Sequence, residues 1–305
     1  LSLQVVMIAS MVFGVVFSVL FFSSKRIVRQ EAESHAGSEL SGTVYQIEDI
    51  LHQVEAAAKN MEWLVRDRLG NPDSLYAVTR MMMRTNPHVI GSCVAFEPGF
   101  YAEKGELFAP YSYLTEEGEV KDRNLGYAAY NYHAKEWYAT PKRLDRNYWS
   151  EPYFDEGGGD RVMSTYSHVL RNGEGKMFGI LTADISLDHL SGLVNGIKPY
   201  PGSYTLMISR LGNYLVHPKP ERILHETIYT ATSDMTDRSV TILGDAMIRG
   251  EEGMHELQND DTLSYVFYKP VEGTEWSVAV VCPYRDVFAP LDRLTLVVVS
   301  VFLLG

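Results

Sequence analysis

Seven side chains between Tyr130 and Asp184 could do chemistry together: Tyr130, Lys135, Trp137, Tyr138, Tyr153, Asp155 and Asp184. Aromatic faces attract ammonium groups, each contact contributing about 0.5–2 kcal/mol depending on desolvation. A carboxylate such as Asp155 or Asp184 adds a charge-assisted hydrogen bond to the same ammonium. Lys135, five residues after Tyr130, could meet a carboxylate at the other end of the guest. The set therefore suits a zwitterion. The plainer account makes Trp137, Tyr138 and Tyr153 core rings and the acids turn caps, and composition alone does not displace it. Most of these residues fall in "YNYHAKEWYATPKRLDRNYWSEPYFDEGGGDR", which reads as one irregular segment.

Other chemistries lack their machinery. There is no G-x-S-x-G elbow, no G-x-x-x-x-G-K-[ST] loop, and no G-x-G-x-x-G between a strand and a helix. "HETIY" starts like H-E-x-x-H but has no second histidine. The glycines at 157–159 precede a strand and not a helix N-terminus, so they read as a hairpin turn and not as a phosphate cradle. The nine histidines are scattered, and His133 reads as a solvated or capping residue. We expect no catalytic residue, no metal site and no cofactor.

The elements that must position the seven residues begin with an uncharged run from Leu1 to Ser24, and about 20 apolar residues suffice to cross a bilayer as a helix. A cleaved signal peptide fits less well: the run is long, no A-x-A-like site closes it, and Lys25 and Arg26 follow at once. A second uncharged run from Leu294 reads as the start of another crossing. Between them lies every charged residue and the whole net charge of −12, a surface that repels phosphate backbones and argues against nucleic acid. Cys93 and Cys282 sit in apolar strand-like runs and read as two buried free thiols.

From Lys25 to Leu69 apolar residues recur at Leu40, Val44, Ile47, Leu51, Val54, Ala58, Met61 and Val65, a heptad seam that "GNPDS" stops. Such a seam can lie on its own domain, pair with a second copy, or do both. A helix over Pro72–Met83 leads to the strand candidates "HVIGSCVAFEP", "LFAPYSYLT", "RVMSTYSHVL" and "MFGILTADISL", then to the helix "LDHLSGLVN". "GIKPYPG" is a boundary rich in turn formers. Beyond it the strands "SYTLMIS", "GNYLVHP", "GMHELQ", "LSYVFYKPV" and "WSVAVVCP" are expected, with helices around Glu221–Thr230 and Arg238–Gly250. The fold class is α+β, two modules each built on an antiparallel sheet.

The blocks "NPHVIGSCVAFEPGFY", "EWY", "WSEPYFDEGGGDRVMSTYSHVL", "GILTADISLDHL", "GNYLVHPKPERIL" and "EWSVAVVCPYRDVFAPL" resemble, in order and spacing, the double Cache sensor domain of bacterial chemoreceptors, sensor histidine kinases and related membrane signal transducers. The resemblance covers nearly all of residues 25–290. It implies a transmembrane helix (1–24), a long stalk helix (25–70), a membrane-distal, PAS-like, ligand-binding module (71–195), a membrane-proximal PAS-like module (196–287) and the start of a second crossing (288–305). One subfamily binds amino acids through Tyr, Arg, Trp-Tyr, Tyr-x-Asp and a later Asp. Tyr130, Trp137, Tyr138, Tyr153, Asp155 and Asp184 match that pattern, whereas Lys135 stands in place of its arginine.

The expected function is extracytoplasmic sensing of a small amino acid, amine or short carboxylate in the distal module, with the signal passed through the membrane helices to a cytoplasmic output domain. Expected partners are that ligand, the membrane and a second copy of the chain through the stalk helix. Two rival readings are a membrane-tethered hydrolase and a ligand-free dimerisation module. Lys25, Arg26 and Arg29 run against this topology, since the positive-inside rule would place them in the cytoplasm. The resemblance puts residues 25–290 outside the inner membrane.

Overall fold

The structure is a computed structural model and describes residues 3–127, 129–230, 238–259 and 262–304. One unbroken helix, α1 (Leu3–Asp67), joins the apolar run to the seam. Of the seam residues all are buried except Met61, which is half-buried, and they pack against the chain's own sheets. The seam therefore serves the chain itself, while Tyr45 and Trp63 of the same helix are exposed. A short 3-10 turn at Pro72–Ser74 follows, then α2 (Leu75–Thr85).

The first sheet contains β1 (Val89–Phe96), β2 (Pro110–Leu114), β3 (Val120–Asn124), β4 (Tyr148–Trp149), β5 (Tyr153–Phe154), β6 (Val162–Arg171) and β7 (Met177–Ser186), with α3 (Glu136–Leu144) between β3 and β4. Its order is β3-β2-β1-β7-β6-β4, and β5 also pairs with β6. After α4 (Leu187–Val194), the second sheet holds β8 (Tyr204–Ile208), β9 (Tyr214–Val216), β10 (Gly253–Asn259), β11 (Thr262–Val271) and β12 (Trp276–Pro283), with α5 (Arg238–Ile248) after β9. Its order is β10-β11-β12-β8-β9. In both sheets the first strand in chain order pairs antiparallel with the last, β1 with β7 and β8 with β12, which places the chain's first and last strands side by side within each open sheet. This mixed helix and antiparallel-sheet architecture agrees with the expected fold class.

α1 runs along one face of both sheets and shares one core with them. The opposite face of the first sheet is covered by the Tyr130–Tyr138 segment, and that of the second by α5. α6 (Tyr284–Leu304) returns alongside the start of α1, where Phe13 and Phe302 stack at 4.2 Å. By length and composition α1 includes a stretch, of mean hydropathy 1.7, able to cross a membrane. Cys93 and Cys282 are buried free thiols, as expected.

Besides the two-residue strands β4 and β5, three elements differ from the sequence reading. The predicted helix over Glu221–Thr230 is absent: a 3-10 turn at Pro220–Arg222 is followed by Leu224 at φ 70° and an isolated bridge between Asn213 and Thr227. A left-handed leucine interrupts any helical run, and Ile223, Thr227, Ile228 and Thr230 are β-branched. β3, "VKDRN", escaped detection because it is a charged edge strand with no apolar alternation. The segment read as irregular contains α3, whose Pro141 disguised it. Proline has no N–H to give the carbonyl one turn earlier, and the Trp137 carbonyl accepts instead from Ser167 Oγ at 2.6 Å.

Candidate functional site

Strand alternation aims the site residues. Along β7, Leu181, Ala183 and Ile185 join the α1 core, so Ile180 and Asp184 point to the opposite face. The same alternation on β1 sends Cys93 and Ala95 there, and on β2 sends Tyr111 and Tyr113. Asp184 stands directly across from Gly91 on β1 and Thr165 on β6. Glycine leaves room on one flank. Threonine supplies a donor on the other, its Oγ1 reaching Asp184 Oδ1 at 2.8 Å.

Asp155 arrives from the β5–β6 hairpin, whose connection holds Gly157, Gly158 and Gly159. The hairpin reading of this triplet was correct. Gly157 takes φ 76°, and a Cβ on Gly158 would lie 1.9 Å from Asp155 Oδ2, so the loop rests directly on the carboxylate. Gly159 N–H donates to Asp155 Oδ2 at 2.8 Å, and the Tyr130 hydroxyl donates to Oδ1 at 2.5 Å.

Asp155 and Asp184 are 2% and 3% exposed. Neither is ion-paired among the described residues; their partners are hydroxyls and one amide. Burial, reinforced by the charge of Asp155, pushes the Asp184 carboxyl up to about 7. Burial also raises Asp155, against the pull of its Tyr130 and Gly159 hydrogen bonds and the nearby Lys135 charge. Burial raises the Tyr130, Tyr153 and Tyr111 hydroxyls well above their ordinary range, with the two aspartates adding to it, so all three remain donors. The Cys93 thiol is raised for the same reasons and stays protonated.

Six of the seven predicted residues come together here. Tyr153 Oη meets Thr165 Oγ1 at 2.7 Å and so joins the chain that ends at Asp184. Lys135 Nζ sits 4.7 Å from the centroid of the Tyr130 ring. Trp137 is buried in the same core cluster as Tyr130 and Tyr111. Tyr138 differs: its hydroxyl donates to Glu97 Oε1 at 2.8 Å, Glu97 also binds Lys142, and the ring packs on Tyr132 and His133. Tyr138 thus supports the wall from behind. His133, half-buried against Tyr138, is packed where a solvated or capping residue was expected.

Several participants were missed. The buried Tyr111 hydroxyl lies beside Asp184 Oδ2 above Gly91, yet makes no well-formed hydrogen bond. Arg123 Nη1 and Tyr127 Oη both donate to Gly157 O, at 2.5 and 2.9 Å, and pin the glycine loop. Arg123 Nη2 also donates to Tyr113 Oη at 2.6 Å. The signal was present in "PYSYL", an alternating strand with two tyrosines on one face.

Residues 75–192 match the family model described as methyl-accepting chemotaxis protein-like, first PDC sensor domain. That stretch of the chain, from α2 to α4, is thus similar to a PDC-type sensor domain. Methyl-accepting chemotaxis protein PscA of Pseudomonas syringae pv. tomato is 26% identical over 170 residues, a match covering 54% of this chain and 25% of that protein. The chain thus spans about a quarter of the length of the curated relatives it matches. Among solved structures, the extracellular domain of a histidine kinase, soHK1S-Z6, superposes with TM-score 0.72 at 22% identity, covering 88% of this chain and 99% of that one. The ligand-binding domain of the Pseudomonas aeruginosa amino acid chemoreceptor PctB, in complex with L-Gln, gives TM-score 0.60 at 18% identity, covering 87% and 98%. Within the matched residues 75–192 the aspartate pair and its tyrosines occupy the sheet face away from α1.

Proposed function

We propose that the chain is the extracytoplasmic ligand-sensing part of a bacterial transmembrane receptor and that its first module binds the ammonium of a small amino acid or amine between Asp155 and Asp184. The observation that carries this reading is the pair of buried carboxylates that make no ion pair among the described residues. Such charges are costly to bury unpaired, and an ammonium guest would supply the missing cation and its donors. Tyr130, Trp137 and Tyr153 wall the site, Lys135 meets a carboxylate on the guest, and Tyr138 backs the wall. Similarity to amino acid chemoreceptors supports the same class of guest.

Residues 71–195 act as the distal module and 196–287 as the proximal one. α1 and α6 carry the signal through the membrane to an output domain in the full-length receptor. Binding shifts the balance between two arrangements only by its differential affinity for them. Reversing a 1:99 balance takes about 5.5 kcal/mol.

Isothermal titration of the chain in detergent micelles against L-amino acids, primary amines and short carboxylates tests the assignment. Saturable binding confined to ammonium-bearing compounds is expected. Binding of carboxylates alone would sink it. A sensor also returns its guest unchanged, so turnover of the bound compound would favour the hydrolase reading.

A further inference from the structure

Between β8 and β9 the chain turns in five residues, "SRLGN", closed by Ser209 N–H to Asn213 O at 2.9 Å, with Gly212 at φ 78°. The turn presents Arg210 to the first module. Its Nη2 lies 2.9 Å from Glu136 Oε1, its Nε 3.2 Å from Glu151 Oε1 and its Nη1 3.5 Å from Glu275 Oε2. Its guanidinium also covers the Tyr148 ring, 4.9 Å from the centroid, and the Tyr148 hydroxyl donates to Glu136 Oε1 at 2.6 Å. Asn213 adds a bond to Glu151 Oε2 at 3.1 Å.

The positions of these acids give the contact its meaning. Glu136 opens α3, between Lys135 and Trp137. Glu151 stands two residues before Tyr153 and four before Asp155. One arginine of the second module therefore holds both segments that deliver site residues. A planar fork of five donors can engage several carboxylates at once, which lysine cannot. Without it, Glu136, Glu151 and Glu275 would lose the one cation that all three share among the described residues.

We infer that Arg210 is the positioning residue that couples occupancy of the aspartate site to the second module. The inference rests on the sensor reading for its purpose, but the contact and its test do not require a ligand. When α3 and the Glu151–Asp155 segment shift about a guest, the β8–β9 turn must follow or release them. β8 pairs with β12, which leads directly into α6.

Hydrogen exchange measured by mass spectrometry on the full chain in detergent micelles tests this. Arg210→Gln should accelerate exchange about tenfold both in residues 134–151 and in residues 207–214, since local opening follows the loss of the contacts that close it. Arg210→Lys should fall between that variant and the parent. Acceleration confined to residues 207–214 would reduce Arg210 to a surface ion network. Asp184→Asn, which removes the charge at the site, should alter exchange in residues 207–214 of the parent chain and leave them unchanged in the Arg210→Gln background. An equal response in both backgrounds, or no response in the parent, would overturn the coupling. If Arg210→Gln does not fold, the Arg210→Lys chain and the parent in 1 M salt provide the same comparison, and failure of the ligand titrations would leave these results standing.

Discussion

The Tyr130 hydroxyl donates to Asp155 Oδ1 at 2.5 Å, while Lys135 Nζ lies 4.7 Å from the centroid of the same ring. Tyr130 thus stands between the acidic and the basic side of the site and is bound to both. Because its hydroxyl is held in the protonated form, the ring orients Asp155 as an acceptor with one oxygen already engaged. The other oxygen is fixed by the Gly159 amide. Under the proposed function, an ammonium guest would meet a carboxylate whose direction is already set, and such preorganisation lowers the ordering cost of binding.

Asp184→Asn should abolish binding of any ammonium ligand while leaving the chain folded. Removing one member of a buried charged pair typically costs about 2–5 kcal/mol of affinity, roughly 30-fold or more. The amide keeps the volume and can still accept from Thr165, and it removes an unpaired buried charge, so the thermal midpoint should hold or rise. Calorimetric titration and a melting curve on the same sample check both halves. A variant that melts early would assign Asp184 a structural role instead.

The empty chain should lose stability as pH rises from about 5 to 8. A folded-state pKa of about 7 against an ordinary 3.8 means that the folded chain keeps a proton across that window which the unfolded chain has released. Stability from this group is therefore highest at the acid end and declines through the folded pKa. Asp184→Asn should flatten the difference between melts at pH 5 and pH 8. Ligand affinity should move the opposite way, rising with pH as the carboxylate ionises. A parent chain equally stable at both pH values would contradict the unpaired-carboxylate account.

Where the sequence was legible, one physical period governed the local pattern. The heptad seam from Leu40 to Val65 announced which side faces a core, and all of it but the half-buried Met61 is buried, while the strand expected at "MFGILTADISL" is β7. Asp184 was picked out by its chemistry and by its match to the family pattern, and the strand alternation places it on the face opposite Leu181, Ala183 and Ile185. Contacts set by tertiary placement left no such trace. Tyr138 was grouped with the ligand cage by its neighbour Trp137, yet Glu97 on the far side of the ring claims its hydroxyl. Arg123 lies in an edge strand with no hydrophobic period, and only the folded sheet brings it to Gly157. Lys25 and Arg29, which ran against the expected topology, face rings of the chain itself: Lys25 lies 5.2 Å from the Tyr284 centroid and Arg29 lies 5.7 Å from that of Tyr265.

Lys135→Arg should sharpen selectivity for ligands that carry a carboxylate. A guanidinium can grip a carboxylate with two parallel hydrogen bonds, whereas an ammonium acts as a point charge. We expect affinity for α-amino acids to rise about three- to tenfold, the equivalent of roughly one further charge-assisted hydrogen bond, with primary amines unaffected. Parallel titrations of an amino acid and its decarboxylated amine give the comparison. Equal gains for both would mean that residue 135 does not face the carboxylate.

Gly91→Ala probes the most crowded point beside the aspartate pair. A Cβ there would fall 2.5 Å from both Asp184 Oδ2 and the Tyr111 hydroxyl, and both belong to buried side chains held by the sheet. Overpacking a filled interior typically costs about 1–3 kcal/mol, so the melting point should drop. The added methyl would also cover the Asp184 oxygen that Thr165 leaves free, weakening an ammonium guest beyond the general loss of stability. Gly173→Ala is the matched control, because nothing lies within 4 Å of its Cβ position. If Gly91→Ala melts with the parent and binds the same ligands, then Asp184 Oδ2 does not face the guest.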